Sequence, residues 1–362
     1  MIELTVVYCE GWDYEGRRLV GPLPEAVARE RDEAGEQYAV VFVGDDGQAA
    51  AVTEICWQAN HLSVSHVDGS SELSSQSVHR RLADRMLTVR IQQWNPESLA
   101  EFTGTGRREL TTRAGQGTQV TIDQIDVDEI TWPIPAFGDW ARFARLDDAT
   151  FTQAPDPSPY VPTEERPWQA PKPLQPGDLA AMFRAAGEVV PAGVLRMPSG
   201  SLIVIDPGYL GLGHQPRPFT ATAPPGEYPV ELAVVDGRTA GARVIVSHEP
   251  VATWELALRE GQDPRQLGNK EFYGFGVDSG QACFLDAAAM PGLDEAGDDL
   301  VDDLTDTPED GSVSLDDPRT GANLVAFWSG PGDGAYPVWV GRTESGQAAC
   351  FVADFLMIRQ ED

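Results

Sequence analysis

The sequence predicts an α+β protein: two β-rich domains of mainly antiparallel sheet, with a few short helices, joined by a Pro-rich linker. Three observations carry that expectation. At 362 residues the chain is long for one hydrophobic core, so two domains are the default. Short β-branched or alternating runs recur between turns rich in Gly, Asp and Pro, the pattern of antiparallel neighbours with short connections. Between Pro155 and Pro176 stand eight prolines (155, 157, 159, 162, 167, 171, 173 and 176). They favour extended polyproline structure and suit a semi-rigid linker or a strap across a surface. The boundaries expected are 1–150 for an N-terminal domain of unknown type, 151–177 for the linker and 178–362 for the second domain.

In the first domain, Ile2 to Val7 is a strand and Pro24 to Ala34 has helical composition. Tyr38 to Val43 and Ala49 to Trp57 flank Gly44-Asp-Asp-Gly47, a strong hairpin signal. Leu62 to Val67 alternates at period two, Ser77 to Arg85 reads as a short helix, and Met86 to Trp94 as a strand. Leu110 to Arg113 and Thr118 to Ile122 flank another glycine turn.

In the second domain, Asp178 caps a helix running to Ala186. Val190 to Met197 and Ser201 to Asp206 read as a hairpin around Pro198-Ser-Gly200. Tyr228 to Val235 and Arg243 to Ser247 are strands, and Val251 to Arg259 shows helical spacing of apolar residues. Phe275 to Asp278 and Gln281 to Asp286 read as a turn-linked pair. Asp294 to Asp317 carries eleven carboxylates and no basic residue before Arg319, a run expected to be solvated, part helix and part loop. Asn323 to Trp328, Tyr336 to Gly341 and Ala348 to Ile358 complete the sheet.

Two echoes stand out. Gly226 to Val230 (Gly-Glu-Tyr-Pro-Val) resembles Gly334 to Val338 (Gly-Ala-Tyr-Pro-Val), and Ser279-Gly-Gln-Ala-Cys-Phe284 resembles the stretch from Ser345 to Phe351. The offsets, 108 and 66, set no fixed period, so duplicated hairpins are expected rather than a solenoid. With Met197-Pro-Ser-Gly200, Gly332-Asp-Gly334, the stretch from Glu249 to Glu255 and Ala353-Asp-Phe-Leu356, these segments resemble the bacterial domain of unknown function 4241 family, marked by an LPSG and a GDG motif. The likeness covers roughly residues 180–360, with Met197 standing where the family has Leu. It implies no activity, cofactor or catalytic residue.

The formal net charge is −31, with two lysines (Lys172 and Lys270) and therefore 26 − 2 = 24 arginines. Such a field repels nucleic-acid phosphates and anionic membranes and speeds association with a basic partner. The N-terminus has an early acid and no basic region, so no signal peptide is expected. No apolar run approaches the ~20 residues of a membrane helix. A cytoplasmic protein is the expectation. Cys9, Cys56, Cys283 and Cys350 lie far apart, without a CxxC pair.

No motif announces a reaction. Pro198-Ser199-Gly200 lacks the Gly-x-Ser-x-Gly of a nucleophile elbow, and Gly332-Asp333-Gly334 lacks the Lys-Ser/Thr of a phosphate loop. Asp306 to Asp317 matches a calcium loop poorly, because Pro308 takes a ligand place. His61 and His66 face opposite sides of one strand, and neither HExxH nor Cys/His zinc spacing occurs; no metal or cofactor is expected. The catalytic candidates are carboxylates at strand ends, Asp206, Asp278 and Asp333, with Asp286 and Asp354 in similar places. The binding candidates are His214, Tyr228, Asp333, Tyr336 and Trp339. The leading expectation is an acidic protein-interaction module that neutralises or scaffolds a basic partner such as a toxin. The alternatives are a hydrolase-like or metal-dependent enzyme built on the strand-end aspartates, and a structural or stress-related protein without a specific ligand.

Overall fold

A computed structural model describes residues 2–67, 73–95, 98–103, 106–113, 117–124, 130–146, 148–185, 188–296, 304, 311–317 and 319–358. The protein is built mostly of antiparallel β-sheet with few short helices. The chain divides into two compact units, Met1–Lys172 with Arg265–Asn269, and Pro173–Pro264 with Lys270–Asp362. Among the described residues no helix is long and apolar enough to cross a membrane.

Unit 1 holds β1 (Ile2–Asp13), β2 (Arg18–Pro22), α1 (Glu25–Ala34), β3 (Tyr38–Gly44), β4 (Ala49–Cys56), β5 (His61–Val67), β6 (Leu73–Arg81), β7 (Met86–Asn95), β8 (Ser98–Thr103), β9 (Gly106–Arg113), β10 (Gly117–Gln124), β11 (Thr131–Trp132) and β12 (Ala149–Gln153). They form one sheet in the order β10-β9-β8-β7-β6-β5-β4-β3-β1-β12. All neighbours are antiparallel except β1 and β12. Alternation along the strands sends Tyr8, Tyr38, Phe42, Ile55, Leu62, Val64 and Met86 to one face, where Trp140 and Phe143 also pack. The opposite face carries Cys9, Trp12, Val41 and Val52.

The segment expected as a helix at Ser77 to Arg85 is instead β6 and the turn after it. Both flanking strands offer ladder partners, His61↔Arg80 on one side and Arg81↔Met86 on the other, and that pairing overrides local propensity. The Pro-rich stretch lies against β1 and α1. Trp168 Nε1 donates to the Glu10 carbonyl at 2.9 Å, and Gln37 Nε2 donates to the Trp168 carbonyl at 2.8 Å. Gly11 is needed beneath that indole, since a Cβ there would sit 2.6 Å from Pro167 and Trp168. Glu10 is buried, and Arg31 holds both its oxygens at 2.8 Å.

Unit 2 is a two-sheet sandwich. Its elements are α2 (Leu179–Ala185), β13 (Glu188–Met197), β14 (Leu202–Ile205), β15 (Gly226–Val235), β16 (Arg238–Ile245), β17 (Thr253–Leu256), β18 (Gly274–Val277), β19 (Gln281–Asp286), α3 (Met290–Glu295), β20 (Ser312–Asp316), β21 (Asn323–Trp328), β22 (Gly334–Arg342) and β23 (Ala348–Asp354). One sheet runs β13-β15-β16-β23-β22-β17, with β18 also paired to β22; the other runs β14-β19-β21-β20. Their inner faces meet over Leu195, Val230, Phe284, Phe327, Val338 and Phe351. On the outer faces, α2 covers Trp339 and Val352, and α3 covers Ile203 and Leu285. The Asp178 carboxylate accepts from Ala181 N at 2.7 Å, the cap expected for α2.

Three local expectations change. Val251 to Arg259 contains β17 rather than a helix. Trp254 and Leu256 are half-buried beside Trp339 on the face that α2 covers, Thr253 and Glu255 are exposed, and the ladder to β22 satisfies the backbone. Pro198-Ser-Gly200 does not join a hairpin, because β13 pairs with β15 while β14 pairs with β19 in the other sheet. Likewise β18 pairs with β22 and β19 with β14 and β21, so Asp278-Ser-Gly280 also carries the chain from sheet to sheet. Of the acidic run from Asp294 to Asp317, Asp294 and Glu295 end α3 and Ser312–Asp316 forms β20 paired to β21, while 297–303 and 305–310, with the first five places of the calcium-loop stretch, lie outside the described residues.

The Tyr-Pro-Val echo is structural. β15–β16 and β22–β23 are two hairpins joined through β16 and β23, with Val244 opposite Phe351. Tyr228 and Tyr336 each fold back over the glycine opening their strand and donate to a carbonyl four residues earlier, Pro224 and Gly332. A Cβ on Gly226 or Gly334 would lie 3.1 Å from the hydroxyl oxygen of the tyrosine two residues on.

Glu54 in β4 gives a pH prediction. It is buried beside Ser63, whose Oγ donates to it at 2.9 Å, and burial pushes its pKa from 4.5 up to about 7. A carboxyl more basic when folded binds more protons in the native state, so stability falls as pH rises between these values. Glu54→Gln should flatten that fall in urea unfolding measured at successive pH values; an unchanged slope would contradict the assignment.

Candidate functional site

The sequence scatters Asp206, Asp278 and Asp333 over more than a hundred residues, and the sandwich gathers them. Asp206 ends β14, Asp278 and Ser279 form the crossing between β18 and β19, and Asp333 lies in the crossing between β21 and β22. Tyr209 sits at the end of the short 3-10 turn Pro207–Tyr209, which Asp206 caps. The Tyr209 hydroxyl donates to the Asp278 carboxylate. That bond and the charges of Asp278, Asp206 and Asp333 raise the phenol to about 12, so it stays protonated as a donor.

The three aspartates differ in environment. Asp206 is 1% exposed, and its carboxylate accepts from Gly208 N, Asp278 N and Ser279 N, each at 2.7 Å, and from Ser279 Oγ. Four donors satisfy it, and it ties two turns together. Asp278 and Asp333 are exposed. Among the described residues neither makes an ion pair with an Arg or Lys.

A second staple uses Asp286, which is fully buried at the end of β19. It accepts from Ser199 N at 3.1 Å, Ser199 Oγ at 2.7 Å and Ala288 N at 2.9 Å. This explains the Pro-Ser-Gly turn. Ser199 donates to a buried acceptor, and Gly200 at φ 70° lies so close to the Ala223 carbonyl that a Cβ would sit 1.9 Å from its oxygen. The Gly332-Asp-Gly334 turn is held by Ser329 Oγ, whose one hydrogen is shared between the Gly280 and Gly332 carbonyls, each at 2.9 Å, and by the Tyr336 hydroxyl.

His214 lies on the exposed loop after Tyr209, the two rings 5.2 Å apart. Gly211 N donates to Asp294 at 2.9 Å, anchoring this loop to the beginning of the acidic run. Leu212 on the same loop is 72% exposed. The remaining binding candidates are core residues. Tyr228 and Tyr336 pack between the sheets, and Trp339 packs beneath α2. Asp354 is buried at the end of β23, where it caps Leu356 N and burial raises its pKa.

Sequence reading missed Tyr209, which looked like one aromatic in a loop, and Ser279, which looked like a turn residue. Asp206-Pro-Gly was the available signal, an aspartate placed to cap the turn that carries Tyr209. Among the described residues no three His, Cys, Asp or Glu side chains are grouped to hold a metal ion. The arrangement presents two exposed carboxylates, a phenol and an imidazole on turns fixed from below by a saturated carboxylate.

Asp206 and Asp333 should therefore respond unequally to neutralisation. Asp206→Asn replaces an acceptor oxygen by a donor facing other donors and should cost about 3 kcal/mol in urea unfolding. Asp333→Asn should stay within about 0.5 kcal/mol of the parent. Equal losses would contradict the division between buried staple and exposed rim.

Compared with curated proteins and with solved structures, the chain has no significant match. The segment of unit 2 from the end of β13 to the end of β23, which contains both staples, the Pro-Ser-Gly turn and the Gly-Asp-Gly turn, does have one: residues 195–353 match the model of a family described as a protein of unknown function, DUF4241.

Proposed function

We propose that this chain is an acidic, cytoplasmic protein-interaction module that takes a basic partner on the rim formed by Asp278, Asp333, Tyr209 and His214. One observation carries the reading: two exposed carboxylates flank a protonated tyrosine with no cation of the chain paired to them among the described residues. Two such carboxylates suit an arginine, which binds oxygens in a planar fork, and the half-buried Tyr209 ring beside them can receive the same group by cation–π contact. The chain's net charge of −31 would steer a basic partner toward it. Asp206 already accepts four bonds, which favours this reading over a catalytic carboxylate there. Four buried free thiols fit a reducing compartment. In this proposal the Pro-rich stretch 151–177 joins a first domain of separate role to the binding domain.

The test is binding of an Arg-rich peptide to the full chain, followed by fluorescence anisotropy at low and high salt. Asp278→Asn with Asp333→Asn should weaken binding about tenfold, since two exposed pairs contribute up to about 1 kcal/mol each. The charge-matched pair Glu227→Gln with Asp236→Asn, also on exposed positions, should leave affinity near the parent value. Equal losses in both pairs would reduce the effect to net charge and refute a specific rim.

A further inference from the structure

On the Tyr38–Met86 face of the unit 1 sheet lies a cavity of about 40 Å³. A single water needs about 10–15 Å³ on that measure, so the space takes a group of a few heavy atoms. Ile91 and Phe143 give it apolar walls, Ser77, His79, Thr88 and Trp132 line its polar part, and Arg142 and Arg145 also border it.

The polar lining has a countable hydrogen balance. His79 is buried, and burial together with the Arg145 charge pushes its pKa down to about 3, so the imidazole is neutral with one N–H. Its Nδ1 lies 3.0 Å from Thr88 Oγ1 and its Nε2 lies 3.0 Å from Ser77 Oγ. Trp132 Nε1 donates to Thr88 Oγ1, also at 3.0 Å. These three bonds use three hydrogens. The indole N–H, the imidazole N–H and the two hydroxyls supply four. If Nδ1 carries the proton, Ser77 donates to Nε2 and the Thr88 hydrogen is left over; if Nε2 carries it, the Ser77 hydrogen is left over. Either tautomer leaves one hydroxyl donor without an acceptor in this network, at a cavity that both hydroxyls line.

Among the described residues that line the cavity, the charge is opposite to that of the chain. Arg142 and Arg145 are exposed, and among the described residues neither makes an ion pair. The Arg142 guanidinium lies 5.8 Å from the Trp132 ring, alongside the wall it shares with the cavity. Arg145 holds φ 51°, a left-handed conformation at the end of a turn where Gly or Asn is usual. An anion here would meet two cations and a spare hydroxyl hydrogen, while any tail would meet aliphatic and aromatic surface.

The geometry points to a binding site in unit 1 for a small carboxylate, one oxygen accepting from Ser77 or Thr88, the charge facing Arg142 and Arg145, and the hydrocarbon part lying against Ile91 and Phe143. The site is separate from the acidic rim of unit 2, and neither proposal depends on the other. Inorganic phosphate shares the charge but not the apolar tail, so it serves as the competing probe.

The experiment uses the full chain labelled with fluorotryptophan, the Trp132 resonance being identified through Trp132→Phe. Propionate should shift that fluorine signal saturably, propionamide should not, and phosphate should bind more weakly. Arg142→Gln with Arg145→Gln should weaken propionate binding at least about tenfold while leaving the urea midpoint unchanged. Absence of a saturable shift, an equal response to propionamide, tighter binding of phosphate, or a folded double variant with parental affinity would each overturn the proposal.

Discussion

A carboxylate taken out of water must find its hydrogen-bond donors in the protein. In unit 2, Asp206 and Asp286 find them in the turns where the chain crosses between sheets. Asp206 accepts the amides of Gly208, Asp278 and Ser279, and Asp286 accepts the Ser199 amide and hydroxyl and the Ala288 amide. A sandwich whose neighbours in sequence lie in opposite sheets needs its crossings fixed, since a slip there would misalign both inner faces. Tyr209 and Asp278 depend on the Asp206 anchor directly, while Asp333 sits on the turn that Ser329 and Tyr336 hold.

The duplicated hairpins supply the other half of the architecture. Gly226 and Gly334 each leave room for a tyrosine to fold back onto its own strand entry. The two tyrosines are thereby drawn into the core between the sheets rather than onto the surface. The same residues that made the echo conspicuous in the sequence as binding candidates are thus explained by packing. Arg259 adds a further tie, donating from its guanidinium to the carbonyls of Val204, Arg217 and Gly274 while its ring neighbour Phe219 lies 5.0 Å away.

Much of the fold was legible because period-two alternation and glycine turns speak locally. The hairpin β3–β4 follows directly from Gly44 to Gly47, whereas the sequence reading placed the strand after β15 at Arg243 to Ser247 and passed over the Asp236-Gly237 turn from which β16 starts at Arg238. Sheet membership was not legible: Pro198-Ser-Gly200 and Asp278-Ser-Gly280 have the composition of hairpin turns, and only long-range pairing distinguishes a crossing from a hairpin. Ser77 to Arg85 and Val251 to Arg259 failed because ladder pairing overrode their helical appearance, with the flanking strands β5 and β7 in the first case and the distant β22 in the second. In the site, strand-end position found Asp206, Asp278 and Asp333, but convergence on Tyr209 is a tertiary fact. The unit 1 cavity was invisible because His79 and Trp132 are 53 residues apart by number (132 − 79), and their shared partner Thr88 is an unremarkable strand residue.

The staple at Asp206 makes a direct physical claim about exposed turns. Asp278 and Ser279 are solvent-exposed residues whose amides nonetheless bond to a buried carboxylate. Native-state hydrogen exchange of these two amides tests it most directly. The account expects protection close to that of the strand amides of β19, opening only with the sandwich. Exchange at the rate of a free loop would show that Asp206 does not hold the crossing, and the organisation of the rim described above would fall with it.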